Sequence, residues 1–145
     1  MVSRAAVRRA QRPDPAPARK PHLLIVTDCS DRQTGLRSLL HADGVEITGV
    51  GSSEELSRAC HRKHDLVVID VGAGRLPEVL YILRSSVRHS GISLLVEASR
   101  ALTEPSLVGV LPKYRAMPCS RSDLVKLARR LITGVNRPVS NRMLL

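Results

Sequence analysis

Two uninterrupted apolar runs, Leu23-Leu24-Ile25-Val26 and Leu66-Val67-Val68-Ile69, stand out in the hydropathy pattern of the chain. Each is too short for a helix, and the second is rich in β-branched residues, which predicts strands buried on both faces. Val45–Val50 and Ile92–Val96 predict two further strands, the latter ending at Glu97. Between these runs the apolar period becomes helical. Leu36, Leu39 and Leu40 form a stripe on a helix opening at Ser30, with Ser30 and Gln33 spaced as a capping box and Gly44 as its stop. Ser52 and Glu55 repeat that spacing before a helix whose Leu56, Ala59 and Cys60 face inward. After a loop containing Gly72 and Gly74, a helix from about Pro77 carries Val79, Leu80, Leu83 and Val87 on one side. Pro105 and Pro112 interrupt the section from Ala98 to Met117, so any helix there is short or broken. Ser120 and Asp123 open a last helix. Its apolar face is Leu124, Leu127, Ala128, Leu131 and Ile132; Lys126, Arg129 and Arg130 lie opposite, and Gly134 closes it.

Strands alternating with helices at this pitch predict a parallel sheet with helices on both faces. Five strands give an α/β fold of three layers, a doubly wound five-stranded parallel sheet. At 145 residues the chain holds one such core. Pro13, Pro15, Pro17 and Pro21 make residues 1–21 an extended, disordered, basic leader; residues 22–134 are the domain and 135–145 a short basic tail.

Charge changes this picture little. The net charge is +10, but residues 22–134 hold fifteen basic and twelve acidic residues, so the excess sits mostly in the two ends. Such ends attract polyanions weakly and without specificity, and otherwise act as solvated extensions. Phe and Trp are absent and Tyr81 and Tyr114 are the two aromatics, which argues against stacking on single-stranded nucleic acid. Cys29, Cys60 and Cys119 are odd in number and widely spaced, as expected in a reducing, cytoplasmic setting without a disulfide framework. No apolar stretch reaches the length of a membrane span, and the basic start lacks the apolar region of a secretory signal.

The chemistry concentrates at strand ends. Asp70 terminates the third apolar run and would emerge at the carboxyl edge of the sheet, where open α/β folds place their sites. Asp28 follows the first run. With these positions, the stretch Met117-Pro118-Cys119-Ser120-Arg121-Ser122-Asp123-Leu124 and the 42-residue step from Asp28 to Asp70, the chain resembles the receiver domain of bacterial response regulators over about residues 22–134. The resemblance implies a flavodoxin-like sheet and Asp70 as phosphoacceptor. It implies Mg²⁺ held by Asp28, Asp70 and the carbonyl of Gly72, and a pocket completed by Thr27, Glu97, Met117 and a switch aromatic at Tyr114. It further implies a sensor histidine kinase or other signalling protein as partner, with no enzymatic activity beyond self-phosphorylation and dephosphorylation.

Several of these positions depart from the family. Thr27 stands in place of the first acid, Glu97 in place of a Ser or Thr, and Met117 in place of a Lys that grips the phosphoryl group. A second frame, Gly109-Val110-Leu111-Pro112-Lys113, would restore that Lys as Lys113 but forfeits the matches at Tyr114 and Pro118. These losses describe a degenerate pocket. The functions to be separated are a stand-alone two-component or phosphorelay receiver, a phosphorylation-independent pseudo-receiver that works as an interaction module, and a basic-tailed nucleic-acid accessory protein. Cys60, His61 and His64 read as residues of a solvated basic face rather than metal ligands. Cys29 and Cys119 read as packing residues rather than a redox pair.

Overall fold

Strand formation follows the apolar runs closely. In the computed structural model, which describes residues 20–42, 44–101 and 105–134, β1 is His22–Thr27, β2 Glu46–Val50, β3 Leu66–Asp70, β4 Ser93–Glu97 and β5 Ala116–Cys119. All pairings are parallel, in the order β2-β1-β3-β4-β5. The central strand β3 is buried at every residue, as its unbroken apolar run requires. The helices are α1 (Ser30–Leu40), α2 (Ser53–Ala59), α3 (Leu76–Ser85), α4 (Ala98–Ala101), α5 (Val110–Lys113) and α6 (Arg121–Gly134). Short 3₁₀ turns occupy Val87–His89 and Pro105–Gly109.

Alternate strand residues feed two cores, one on each face of the sheet. Leu24, Val26, Val67, Ile69 and Val96 pack with Leu56 of α2 and Leu76, Val79, Leu80 and Leu83 of α3. Leu23, Ile25, Val68 and Leu95 pack with Leu36 and Leu40 of α1 and Leu124, Ala128 and Ile132 of α6. This is the doubly wound three-layer α/β architecture expected from the sequence.

Local chemistry explains where the boundaries depart from expectation. The Ser52–Glu55 capping box is complete, with Glu55 N–H donating to Ser52 Oγ at 3.1 Å and Ser52 N–H to Glu55 Oε1 at 3.1 Å. No such box forms at Ser30. Cys29 is the N-cap, its carbonyl takes the first helical bond from Gln33 N–H, and its own N–H donates to Thr27 Oγ1 at 3.3 Å. Gly44 does not stop α1, which ends at Leu40; with φ +83° it serves the turn into β2. Val87 is not on the core stripe, because α3 ends at Ser85 and leaves it 91% exposed. Among the described residues from Ala98 to Lys113 the chain forms short turns, in keeping with its prolines.

The leader and tail fall outside the described residues except at Lys20 and Pro21. Pro21 belongs to the fold rather than to a linker: it is buried and its carbonyl accepts from Glu46 N–H at 2.9 Å.

One side chain ties the amino edge of the sheet together. Arg84, near the end of α3, donates to the carbonyls of His89, Ile92 and Tyr114 at 2.7–2.8 Å and of Ser90 and Arg115 at 3.1 Å. It thereby joins the segments that enter β4 and β5. Burial, and then Arg115 nearby, push its pKa below the ordinary guanidinium value. Arg115 itself has φ +54°, a left-handed backbone that an arginine seldom adopts.

Candidate pocket at the carboxyl edge

Strand register assembles the site. Thr27 pairs with Asp70, and the pairing of Ile69 with Val96 sets Asp70 beside Glu97. Thr27, Asp70 and Glu97 are all buried to within 1% of complete. Two carboxylates side by side in a core demand a cation or protons.

The cation is Arg32, from the first turn of α1. Its Nη1 lies 3.2 Å from both oxygens of Asp70 and 3.7 Å from Glu97 Oε2. Arg121, the first residue of α6, brings Nη1 to 3.9 Å from Asp70 Oδ2. Gly35 leaves room for that arginine, since a Cβ there would come within 3.1 Å of Arg121 Nη2. Glu97 is completed by Ser99, whose hydroxyl donates to Oε2 at 2.7 Å and whose N–H donates to Oε1 at 3.0 Å.

Asp28 is exposed and accepts the N–H of Gly72 at 3.2 Å, while the carbonyl of Gly72 accepts from Arg75 N–H at 3.1 Å. Arg75 also donates to the carbonyl of Gly51 at 2.6 Å, joining the loops after β2 and β3.

Of the residues expected in the pocket, the structure brings together Thr27, Asp28, Asp70, Gly72 and Glu97. It separates the other two. Met117 pairs with Leu95 in the β4–β5 ladder, two residues short of the level of Glu97, and is 51% exposed. Tyr114 precedes β5 at the amino edge, where its carbonyl binds Arg84. The reason is the length of β5: its short run begins at Ala116, so Tyr114 cannot reach the carboxyl edge. Lys113 lies at that same far edge, with Nζ 5.7 Å from the Tyr114 ring centre, and the frame that made it the pocket lysine fails.

The residues as arranged do not fit Mg²⁺. That ion needs open oxygen ligands, whereas both Asp70 oxygens face Arg32 and the Gly72 carbonyl is used by a turn. Thr27 supplies a neutral hydroxyl, already accepting from Cys29 N–H, where a second acid would be needed. Among the described residues no group of three or more His, Cys, Asp or Glu is placed to hold a metal.

Sequence reasoning missed Arg32 and Arg121. Both have a legible signal: Arg32, Leu36 and Leu40 share one helical face, as do Arg121, Leu124 and Ala128. A basic residue in the first turn of an apolar stripe points into the sheet edge.

A second polar cluster is buried at the opposite edge. His64 was expected on a solvated face with Cys60 and His61, but α2 ends at Ala59 and only His61 is exposed. His64 Nδ1 lies 2.8 Å from His89 Nε2, and His89 Nδ1 lies 2.9 Å from Ser86 Oγ. One hydrogen of this chain bridges the two rings, so the pair is stable when neutral. Burial, reinforced by His89 and His22, pushes the pKa of His64 from 6.5 to about 4. Burial also lowers that of His89. Between pH 6.5 and 4 the unfolded chain therefore holds a proton that the folded chain refuses, and stability falls as pH falls. From His64 alone the expected loss between pH 7 and pH 5 is about 1–2 kcal/mol. Urea melts at the two pH values measure it, and His64→Gln should at least halve the difference. Cys60 and Cys119 are free thiols whose pKa values burial raises, in keeping with packing roles.

With the geometry in place, three solved structures are similar to the chain. The receiver domain of the sensor histidine kinase PA1611 from Pseudomonas aeruginosa PAO1, with magnesium ion coordinated in its active site cleft, matches at TM-score 0.61 and 16% identity. That match covers 78% of this chain and 98% of the other. The receiver domain of the Francisella response regulator 1452 matches at TM-score 0.57 and 18% identity, covering 78% and 97%. This chain has the receiver-domain fold. A structure of adenylate cyclase from Rhodopirellula baltica also matches, at TM-score 0.56 and 16% identity over 86% and 96%. No protein-family model and no curated protein matches the chain. The receiver fold therefore rests on architecture, and the carboxyl edge of this example is filled by arginine. No helix among the described residues is long and apolar enough to cross a membrane.

Proposed function

We propose that this protein is a receiver-fold module of bacterial two-component signal transduction that acts by binding a partner, without a phosphorylation switch. One observation carries the reading: Arg32 Nη1 stands 3.2 Å from both oxygens of the buried Asp70. An internal cation there neutralises the carboxylate permanently, which is what a metal ion would otherwise do on binding. It also blocks in-line approach of a phosphoryl donor to Asp70. Glu97 next to it would repel a transferred phosphoryl group. A sensor histidine kinase or another signalling protein in the cytoplasm is the partner class, and no enzymatic activity is needed.

A second reading keeps Asp70 as a phosphoacceptor, and its position at the carboxyl end of the central strand favours it. Acetyl phosphate with Mg²⁺, followed by intact mass, separates the two. The first reading expects no phosphoryl addition to the wild-type chain. Stoichiometric addition abolished by Asp70→Asn would establish the second.

A further inference from the structure

We propose that the amino edge of the sheet, opposite the Asp70 pocket, is a docking surface for the phosphate backbone of a nucleic acid duplex. Because every strand is parallel, the segments entering β1, β3, β4 and β5 all lie along this one edge. They carry Lys20, Arg62, Lys63, Arg88, Lys113 and Arg115, each of them exposed. The described acids here are Glu46, paired with His22 at 3.0 Å, and Asp65, which accepts from His22 N–H at 2.8 Å. The row thus carries six cations against these two acids. Three strand spacings make it roughly 14 Å long, a length over which a duplex offers on the order of eight phosphates.

Two features go beyond charge. The Arg84 fork holds the segments carrying Arg88 and Arg115 in fixed relation, and Arg115 Nη2 donates to the Ser90 carbonyl at 2.6 Å. Arg115 is kept in a left-handed conformation that glycine would adopt at lower cost, so the position retains its side chain against a backbone penalty. Beside it opens a recess of about 220 Å³ lined by Arg84, Ser90, Gly91, Ile92, Ser93 and Arg115, two of them basic and two with hydroxyls. With Arg84 committed to carbonyls, Arg115 and the two serines are the groups a phosphodiester would meet there. A membrane surface is the weaker match, since the large apolar residues exposed among those described, Leu39, Tyr81, Val87, Val108 and Met117, lie on five separate elements, and interfacial binding needs a broad apolar face.

The test is fluorescence anisotropy of the full chain with a 24-base-pair DNA duplex, titrated between 50 and 200 mM KCl, roughly the range over which phosphate contacts reveal themselves. The expected log–log salt slope is about −4. The variant Arg62→Gln/Lys63→Gln/Arg88→Gln/Lys113→Gln should lose at least about tenfold in affinity and most of that slope. The variant Arg37→Gln/Arg58→Gln/Lys126→Gln/Arg130→Gln, with the same charge change on the helices, should stay within about threefold. Amide shifts of the wild-type chain on adding duplex should map to residues 62–63, 88–91 and 113–115. Equal losses in the two variants, an unaffected edge variant, or no wild-type binding would overturn the proposal. So would complete loss on changing Arg4, Arg8, Arg9 and Arg12 to Gln, or binding to phosphatidylserine vesicles with no binding to the duplex.

Discussion

Arg84→Ala is expected to lower stability by about 3 kcal/mol and the melting temperature by on the order of 10 °C. The cause is the loss of five charge-assisted hydrogen bonds at once, to the carbonyls of His89, Ser90, Ile92, Tyr114 and Arg115. These contributions do not add, because solvent reaches the carbonyls of Ser90 and Arg115 when the side chain is gone. The carbonyls of Tyr114, His89 and Ile92 are less accessible and dominate the cost. Arg84→Lys keeps the charge but replaces a planar fork with one ammonium that reaches one or two carbonyls. It should recover less than half of the loss. Chemical denaturation of the three proteins checks the order wild type, Lys, Ala. If Lys matched wild type, charge alone would hold the edge and the fork geometry would be irrelevant.

Arg32→Ala is the second large effect, about 2–4 kcal/mol of stability at neutral pH. Removing one partner of a buried pair leaves the other uncompensated, and here two carboxylates, Asp70 and Glu97, lose their common cation. The value lies below a fully buried pair because the Arg32 side chain is 36% exposed. Arg121 at 3.9 Å moderates the loss at Asp70. Arg32→Ala/Glu97→Gln should therefore be more stable than Arg32→Ala alone. Arg121 stays beside Asp70 in the single variant and Thr27 still stands where a second acid would be needed, so Mg²⁺ should leave the melting temperatures of both the variant and the wild type unchanged. Thermal melts with and without millimolar Mg²⁺ read both outcomes.

Why the sheet was legible and half of the pocket was not has a physical reason. A strand buried on both faces has to be written as an unbroken apolar run, so β1 and β3 could be placed to within a residue or two. Their carboxyl ends, with that of β4, then bring Thr27, Asp28, Asp70 and Glu97 together by topology. β5 is four residues, Ala-Met-Pro-Cys, with its two middle residues exposed, and offers no such run. The alignment of Met117 and Tyr114 with a pocket thus rested on motif spacing, which a short edge strand does not enforce. The cation was hidden for a different reason. An arginine among polar residues of a first helical turn reads as surface, and its reach of several ångströms into a sheet edge is visible in sequence only through its phase with Leu36 and Leu40. His64 was hidden in the same way, since a lone histidine in a basic stretch gives no sign of a buried partner 25 residues away.

On the proposed reading, Arg32 occupies the chemical role that a metal ion and phosphoryl group would take at Asp70. The most direct test of that reading is a ¹⁵N-resolved NMR titration of the wild-type protein with Mg²⁺ and then beryllofluoride, which mimics a phosphoryl group on a carboxylate. The prediction is that amides of Asp28, Asp70, Gly72, Glu97 and Ser99 do not move with either addition. Saturable shifts at those amides, lost in Asp70→Asn, would show a working receiver pocket and a phosphoacceptor at Asp70.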